Sequence, residues 1–539
     1  MNDESQFREI VIIGAGVCGI YTLHKMRSLG LDAVALERGG DLGGTWYWNR
    51  YPGARFDSES YTYGYSFDRD ILDEWDWNEH FAAQPETLSY LNYVADKLDI
   101  RQHMRFGCNV VSAEFDEQST RWRVTLESGQ IYECTYLMTA IGMLSAATMP
   151  RIEGREAFKG EAYHTYYWPQ EKVDFTKKRV AIIGTGATGV QVIGEIADKV
   201  GELTVYQRRP NWCAPLHNSP INKDEMARIR SSYDEIFEQC AQTPGGFLHG
   251  PDRRVFAEVS EEEKLAFWEE LYASPGFGVW LGNFREVLME PKANAEYSEF
   301  IANKIRQRVL DPEVAEKLIP KDHGFGSRRV PMETNYYEAY NQDNVSLVDI
   351  SDTPIERITE KGICTTMGER EYDIIIYATG FDAVTGAFER IDIRGSGGER
   401  LTDKWRHGPI TYLGLQVSGF PNLLTLAGPQ GASVSSNIPP AIEFAVDWAT
   451  DLITFMKAHG HERVEAEEDA EVSWIGEVKK GYEGSLFSTA KSWFTGYNSN
   501  IDRRSGDAMR YLIYLLGAPK YRKQLLRVAT EGYEGLKFS

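Results

Sequence analysis

Two short glycine-rich stretches carry the spacing that grips a dinucleotide. GAGVCG occupies 14–19 and GTGATG occupies 184–189. In such a turn the first glycine (Gly14, Gly184) allows the tight bend. The second (Gly16, Gly186) lets the backbone approach a pyrophosphate, and the third (Gly19, Gly189) lets helix pack on strand. Thr185 and Thr188 of the second turn are counted with it as coenzyme-binding. Free N–H groups at the start of the following helix point at the bound anion. The residue 23 positions past the first glycine separates the two turns. In the first it is Glu37, whose carboxylate accepts hydrogen bonds from a ribose 2′-OH and repels a 2′-phosphate; FAD and NAD both satisfy it. In the second it is Gln207, followed by Arg208 and Arg209. Guanidinium groups bind phosphate oxygens in pairs, so this site reads as one for NADPH, unless the two arginines simply face solvent. A fixed flavin beside a diffusible reductant implies hydride transfer from NADPH to FAD as the first half-reaction.

The surrounding elements confirm the context these turns need. EIVII (9–13) is a short β-branched run consistent with a buried parallel strand, and IYTLHKMRSLG reads as a helix with Gly30 as its stop. DAVALE (32–37) is a second strand. The same grammar returns as RVAII (179–183), VQVIGEIADKV and LTVYQRR (203–209). EYDIIIY (371–377) is another buried strand running into ATGFD (378–382), and YLMTAIG (136–142) has a similar shape. From 216 to 327 the pattern turns helical. Met226, Ile229, Tyr233, Ile236 and Cys240 share one helical face, Ser260 with Glu263 spells a capping box, and Asp311-Pro312 opens another helix. The tyrosines at 61–65 alternate as in a half-buried strand and are assigned no chemistry.

Composition bounds the function. The 539 residues allow about three or four domain-sized units. The net charge of −22 argues against nucleic acid and against anionic membrane surfaces. No apolar run approaches a membrane span, and the polar N-terminus lacks a signal peptide's pattern, so a cytoplasmic location is expected. The six cysteines (18, 108, 134, 213, 240, 364) include no CxxC, which removes a zinc ribbon and a dithiol redox pair. Reaction with dioxygen then remains as the common fate of a reduced flavin, and it needs a cation beside the flavin and a dry pocket.

FKGEAYHTYYWP at 158–169 resembles the fingerprint of the Baeyer–Villiger monooxygenases, Phe-x-Gly-x-x-x-His-x-x-x-Trp-Pro, with Phe158, Gly160, His164, Trp168 and Pro169 in place. Related flavin N- and S-oxygenases carry a similar motif ending in Tyr or Phe, so Trp168-Pro169 favours the Baeyer–Villiger branch. GGTWYWNRYPGARFDSESYTYGYSF (43–67), ATGFD, FPNLLTLAGPQ and SWFTGYN keep the family's order over nearly the whole chain. The resemblance implies tightly held FAD, reduction by NADPH, a C4a-peroxyflavin, and attack on a ketone carbonyl to give an ester or lactone. It places the catalytic arginine on Arg329 and the acid that orients it on Asp57. It adds Gly44, Thr45 and Trp46 to the cofactor site. Arg328 stands where many relatives have a lysine that helps hold the 2′-phosphate, and Trp493 matches a tryptophan that reaches bound coenzyme when a C-terminal loop closes. Read for chemistry alone, Arg328-Arg329 is an exposed basic pair, Asp57 a turn residue, Trp493 ordinary core and His164 a structural histidine. The fingerprint's place before GTGATG favours His164 as a linker between domains rather than an acid or base.

The expected fold is α/β: two discontinuous Rossmann-like dinucleotide-binding domains and a mostly helical insertion. The FAD domain takes 1–148 and 386–539, the NADPH domain 149–215 and 328–385, and the insertion 216–327. The expected reaction is NADPH- and oxygen-dependent oxidation of ketones. Two alternatives are a flavin-dependent N- or S-oxygenase and a nucleotide-binding redox sensor without organic substrate. The loop after GPQ, with Ala432, Ser433 and Val434, belongs to the family's substrate pocket, and its small residues suggest room for a bulky ketone. Oligomeric state is not legible.

Overall fold

Hydrophobic runs too short for helices and buried on both faces become the central strands of two sheets. The computed structural model describes residues 5–501, 504, 506 and 508–539. The first sheet contains β1 (Gln6–Ile13), β2 (Ala33–Leu36), β3 (Met104–Arg105), β4 (Val110–Asp116), β5 (Arg121–Leu126) and β6 (Ile131–Thr139). The second contains β7 (Glu161–His164), β8 (Arg179–Ile183), β9 (Glu202–Gln207), β10 (Val345–Asp349) and β11 (Ile374–Tyr377), in the order β10-β9-β8-β11-β7, all parallel. Two late strands return to the first sheet: β12 (Asp392–Arg394) pairs with β4 and β13 (Leu423–Leu424) with β6. Its order is β12-β4-β5-β6-β1-β2-β3; β4, β5 and β6 form an antiparallel meander and β1 lies parallel to both β6 and β2.

Each glycine turn joins a strand to a helix. Helix α1 (Val17–Ser28) follows Gly16 and helix α2 (Ala187–Ile196) follows Gly186, and neither start has a side-chain cap. Their first N–H groups are therefore left for a ligand. A side chain on Gly19 would run into the carbonyl oxygen of Gly14, and one on Gly189 into that of Gly184. These glycines are forced by helix-to-strand contact. Gly30, at φ +74°, ends the first helix as its sequence predicts.

The chain between 216 and 327 is helical, as its pattern predicts. Ser260 and Glu263 form the reciprocal capping box, and Asp311 caps the helix Pro312–Leu318. Two local readings are corrected. The face running from Met226 to Cys240 is not one helix: Lys223–Ser231 and Tyr233–Gln242 are separated at Ser232. The tyrosine stretch is not a strand: Ser60–Tyr63 is a single helical turn, with Tyr63 and Tyr65 buried on either side of Gly64. Aromatic packing overrides the alternation there, for Tyr63 stacks on Phe56 at 4.5 Å. The ends of the helical region are drawn together where Ala214–Pro215 pairs in parallel with Met332–Glu333. That pairing returns the chain beside its exit point and anchors the end of the loop 325–331.

Candidate active site

The first glycine turn opens a cavity of about 390 Å³ lined by Gly14, Gly16, Glu37, Gly44, Thr45, Tyr63, Tyr166, Ser433 and Val434, among others. Glu37 is fixed at its wall, because its Oε2 accepts from Ala15 N–H at 2.9 Å and its Oε1 from Gly39 N–H at 2.7 Å. A Cβ on Gly16 would stand 3.2 Å from the Cα of Gly44, so the two loops close on each other at the mouth of α1. Trp46 lies just behind, its indole N–H donating to the Tyr63 hydroxyl at 3.1 Å. Ala432 is buried on the short turn Ala432–Val434 but is not among the lining residues.

Asp57 follows Phe56, whose ring stacks on cavity-lining Tyr63. This places the carboxylate just behind the cavity wall. Arg329 arrives on the 325–331 loop and its Nη2 lies 2.8 Å from Asp57 Oδ2. The same oxygen accepts from Met332 N–H at 3.4 Å, and Asp57 Oδ1 is buried with no partner among the described residues. Asp57 is almost fully enclosed, whereas the arginine side chain is 34 % exposed. Asp57 pins Nη2 and the Val330 C=O accepts from Nη1 at 3.3 Å, so the guanidinium is held at two points and is still partly exposed. The Phe277 ring lies 5.9 Å from the guanidinium carbon. Burial pushes the neighbouring Tyr51 hydroxyl up to about 12, with the Asp57 charge adding to the rise and Arg329 opposing it. The residue pair that sequence alone reads as exposed base and turn acid is brought together; Arg329 itself is not among the residues lining the glycine-turn cavity.

The second turn is built differently. Gly186 is exposed, and a Cβ there would meet no protein atom within 4 Å. No protein atom fills the space beside this glycine, which leaves it open to a ligand. The Thr185 hydroxyl donates to Arg209 C=O at 3.1 Å and ties the turn to the end of β9. Thr188 lies in the first turn of α2. Gln207 is buried and donates to Lys317 C=O at 2.8 Å. Arg208 and Arg209 are exposed beyond it, and Arg328 Nη2 contacts Asp322 Oδ2 at 3.0 Å, with Arg209 Nη1 3.8 Å from the same oxygen. Trp493 sits on the turn Trp493–Thr495 packed edge-on against Phe494. The same loop reaches ATGFD, where Asn498 donates to Phe381 C=O at 2.9 Å.

The fingerprint residues lie at the edge of the second sheet. His164 ends β7 opposite Tyr377, and its Nδ1 accepts from Tyr166 N–H at 3.1 Å. Burial holds its imidazole down to about 4, so it is neutral at neutral pH. Gly160 is exposed, but a side chain there would run into Asp373 C=O and the Phe158 ring, and Trp168 packs on Tyr163 and Phe175. Pro169 follows at the surface. Sequence reasoning missed the residue that leaves this edge for the cavity at the first glycine turn. Tyr166 stacks on Trp48 at 5.5 Å and accepts from Arg38 Nη2 at 2.8 Å, while Arg38 also lies 4.9 Å over the Trp48 ring. All three line the cavity. The signals were the cation next to Glu37 and an aromatic inside the fingerprint, but no spacing rule connects residues 128 positions apart. Asp322 and His323, beside the arginine cluster, were missed as well.

The family described as pyridine nucleotide-disulphide oxidoreductase matches residues 11–245. The chain is similar to 2-oxo-Delta(3)-4,5,5-trimethylcyclopentenylacetyl-CoA monooxygenase of Pseudomonas putida, 47 % identical over 537 residues and covering 98 % of each chain. A protein of Pseudooceanicola batsensis named Baeyer-Villiger monooxygenase is 40 % identical over 534 residues, covering 98 % of this chain and 96 % of that one. The chain belongs to the Baeyer–Villiger monooxygenases. Among solved structures, OTEMO in complex with FAD and NADP superposes with a TM-score of 0.95 at 46 % identity, covering 99 % of this chain and 100 % of that one. The expected α/β fold with two dinucleotide-binding domains stands, and so does the expectation of a monooxygenase. The six cysteines are all free and include no CxxC pair, so the disulphide oxidoreductase match speaks for the fold. Among the described residues no helix is long and apolar enough to cross a membrane.

Proposed function

We propose that this enzyme oxidises a ketone to an ester or lactone with molecular oxygen, using tightly held FAD and diffusible NADPH. The observation that carries the reading is the ion pair of Arg329 and Asp57, a 2.8 Å contact that holds a guanidinium which stays partly exposed. Gly14, Gly16, Glu37, Gly44 and Thr45 would hold FAD, since the uncapped start of α1 and the cavity beside it offer N–H donors and space of the right kind. Trp46 supports that wall from behind. Gly184, Thr185, Gly186, Thr188 and Gly189 would hold the NADPH pyrophosphate, and Arg208, Arg209 and Arg328 its 2′-phosphate. Bound FAD supplies the redox chemistry that activates oxygen, with NADPH as its reductant.

The chain's own residues do the rest. Arg329 stays charged at any working pH, and its N–H groups not held by Asp57 and Val330 would meet the negative charge that develops on a reacting oxygen. Asp57 keeps the guanidinium in place and balances its charge, and among the described residues it pairs with no other cation. Trp493 would meet the coenzyme from the C-terminal loop. Ser433 and Val434 line the cavity, and their small side chains would leave room for a bulky ketone. The cofactor halves follow the two sheets: 1–148 with 386–539 for FAD, 149–215 with 328–385 for NADPH, and 216–327 as the insertion between them. Scattered free thiols support a cytoplasmic location.

Arg329→Ala should retain FAD through purification yet lose product formation by about 10²–10³-fold, the usual effect of removing one preorganised charge stabiliser. Gas chromatography of esters formed from a panel of cyclic, aryl and linear ketones measures it. Wild-type-like ester yield in the variant sinks the role given to Arg329.

A further inference from the structure

The arginine cluster at the second glycine turn already contains an anion. Asp322 Oδ2 lies 3.0 Å from Arg328 Nη2 and 3.8 Å from Arg209 Nη1, while its Oδ1 pairs with His323 Nδ1 at 2.7 Å. Its carboxyl is held well below the usual range by the His323 hydrogen bond and by the Arg328 charge. The groups around it are not fully satisfied. Arg328 Nε and His323 Nε2 are buried without a partner among the described residues, and the His323 side chain is only 1 % exposed. Arg208 lies next in line with no ion-pair partner among the described residues and the charge of Arg209 beside it. The loop bearing Asp322 is anchored, because Trp212 Nε1 donates to His323 C=O at 2.9 Å. Asp322 itself is partly exposed, which leaves its side chain room to turn outward while the backbone stays.

We propose that Asp322 is a built-in competitor for the coenzyme's 2′-phosphate: it occupies the arginine position that the phosphate needs, and it sets how strongly the second phosphate is rewarded. The inference rests on the assignment of the second turn to NADPH. A dianionic phosphate and a carboxylate cannot both sit on Arg328 and Arg209 without repulsion, so binding displaces Asp322 or bears its charge. The competition holds affinity for the 2′-phosphate below what three guanidiniums alone would give, which favours release of spent coenzyme. A coenzyme lacking that phosphate does not reach the cluster and is indifferent to Asp322.

The test is calorimetric titration of the FAD-loaded enzyme with adenosine 2′,5′-bisphosphate and with 5′-AMP, which needs no turnover. Asp322→Asn keeps the side-chain shape and removes the charge. It should bind the bisphosphate about three- to tenfold tighter, the size expected of a partly exposed charge interaction, and bind 5′-AMP as the wild type does. Asp322→Glu, which restores the carboxylate, should return towards wild-type affinity and guards against a merely structural effect. Weaker bisphosphate binding in Asp322→Asn overturns the inference and makes Asp322 an organiser of the arginines instead. An equal gain for both probes also overturns it. If the wild type fails to distinguish the two probes, the NADPH assignment of this turn fails first, and the inference falls with it.

Discussion

His164 carries the strongest promise of chemistry in the fingerprint and the least of it in the fold. Its Nδ1 is committed to the Tyr166 N–H, and burial disfavours its charged form. The depressed pKa makes it a pH-dependent element of stability. The native imidazole titrates near 4 and the unfolded one near 6.5, so the native state binds fewer protons between those values. Its contribution is fully present above about pH 6.5 and is lost as pH falls towards about 4. Between pH 7 and pH 5 the wild type should lose about 2 kcal/mol relative to His164→Asn, whose amide oxygen can accept from Tyr166 N–H without gaining charge. Urea titrations at several pH values measure the difference. Parallel curves for the two proteins mean that His164 is not buried neutral. The same residue-level logic separates Arg329 from Arg328. Adjacent in sequence and alike in type, they face different carboxylates, Asp57 and Asp322.

At the scale of the element, the glycine turns make a contrast that either variant alone would miss. A methyl on Gly189 collides with the Gly184 carbonyl oxygen, a backbone atom that cannot move aside. A methyl on Gly186 enters open space. Gly189→Ala should therefore lower the melting temperature by several degrees, whereas Gly186→Ala should melt as the wild type does and lose affinity for NADP⁺ by about tenfold or more. Fluorimetric melting and NADP⁺ titration read the two effects, and a Gly186→Ala variant with normal NADP⁺ binding removes the ligand argument for that glycine. These turns were legible because a strand, three glycines and a helix lie contiguous in the chain. The capping box at Ser260 was legible for the same reason. The turn Ser60–Tyr63 was not, because its alternating pattern satisfies a strand locally and only the Phe56 and Trp46 rings, brought up by tertiary packing, decide otherwise. The Arg38–Trp48–Tyr166 stack was beyond reach too, since it joins the end of β2 to a strand edge in the other sheet.

At the scale of the whole molecule, the helical insertion looks separable in sequence and is not separable in packing. Trp268 lies 5.1 Å from Tyr297, Tyr297 lies 5.1 Å from Phe325, and Phe325 lies 6.3 Å from Trp212, centroid to centroid. This row of rings begins in the insertion and ends just after Arg209. It joins one core with Val180, Val192 and Val205 of the second dinucleotide-binding unit. Met226 and Tyr233 of the same insertion pack instead into the core beneath β1 and α1. The insertion thus braces both halves, and the loop bearing Arg329 depends on that brace, since it leaves the same row at Phe325. Trp268→Ala should cost about 3–5 kcal/mol, the range for emptying a buried aromatic site. The loss should not stay local. The urea transition followed by near-UV circular dichroism and the loss of adenosine 2′,5′-bisphosphate binding should shift together to lower urea, because one core connects them. An early separate transition that leaves bisphosphate binding at its wild-type midpoint would show that the insertion unfolds on its own, and the shared core would then carry no coupling between the helices and the coenzyme site.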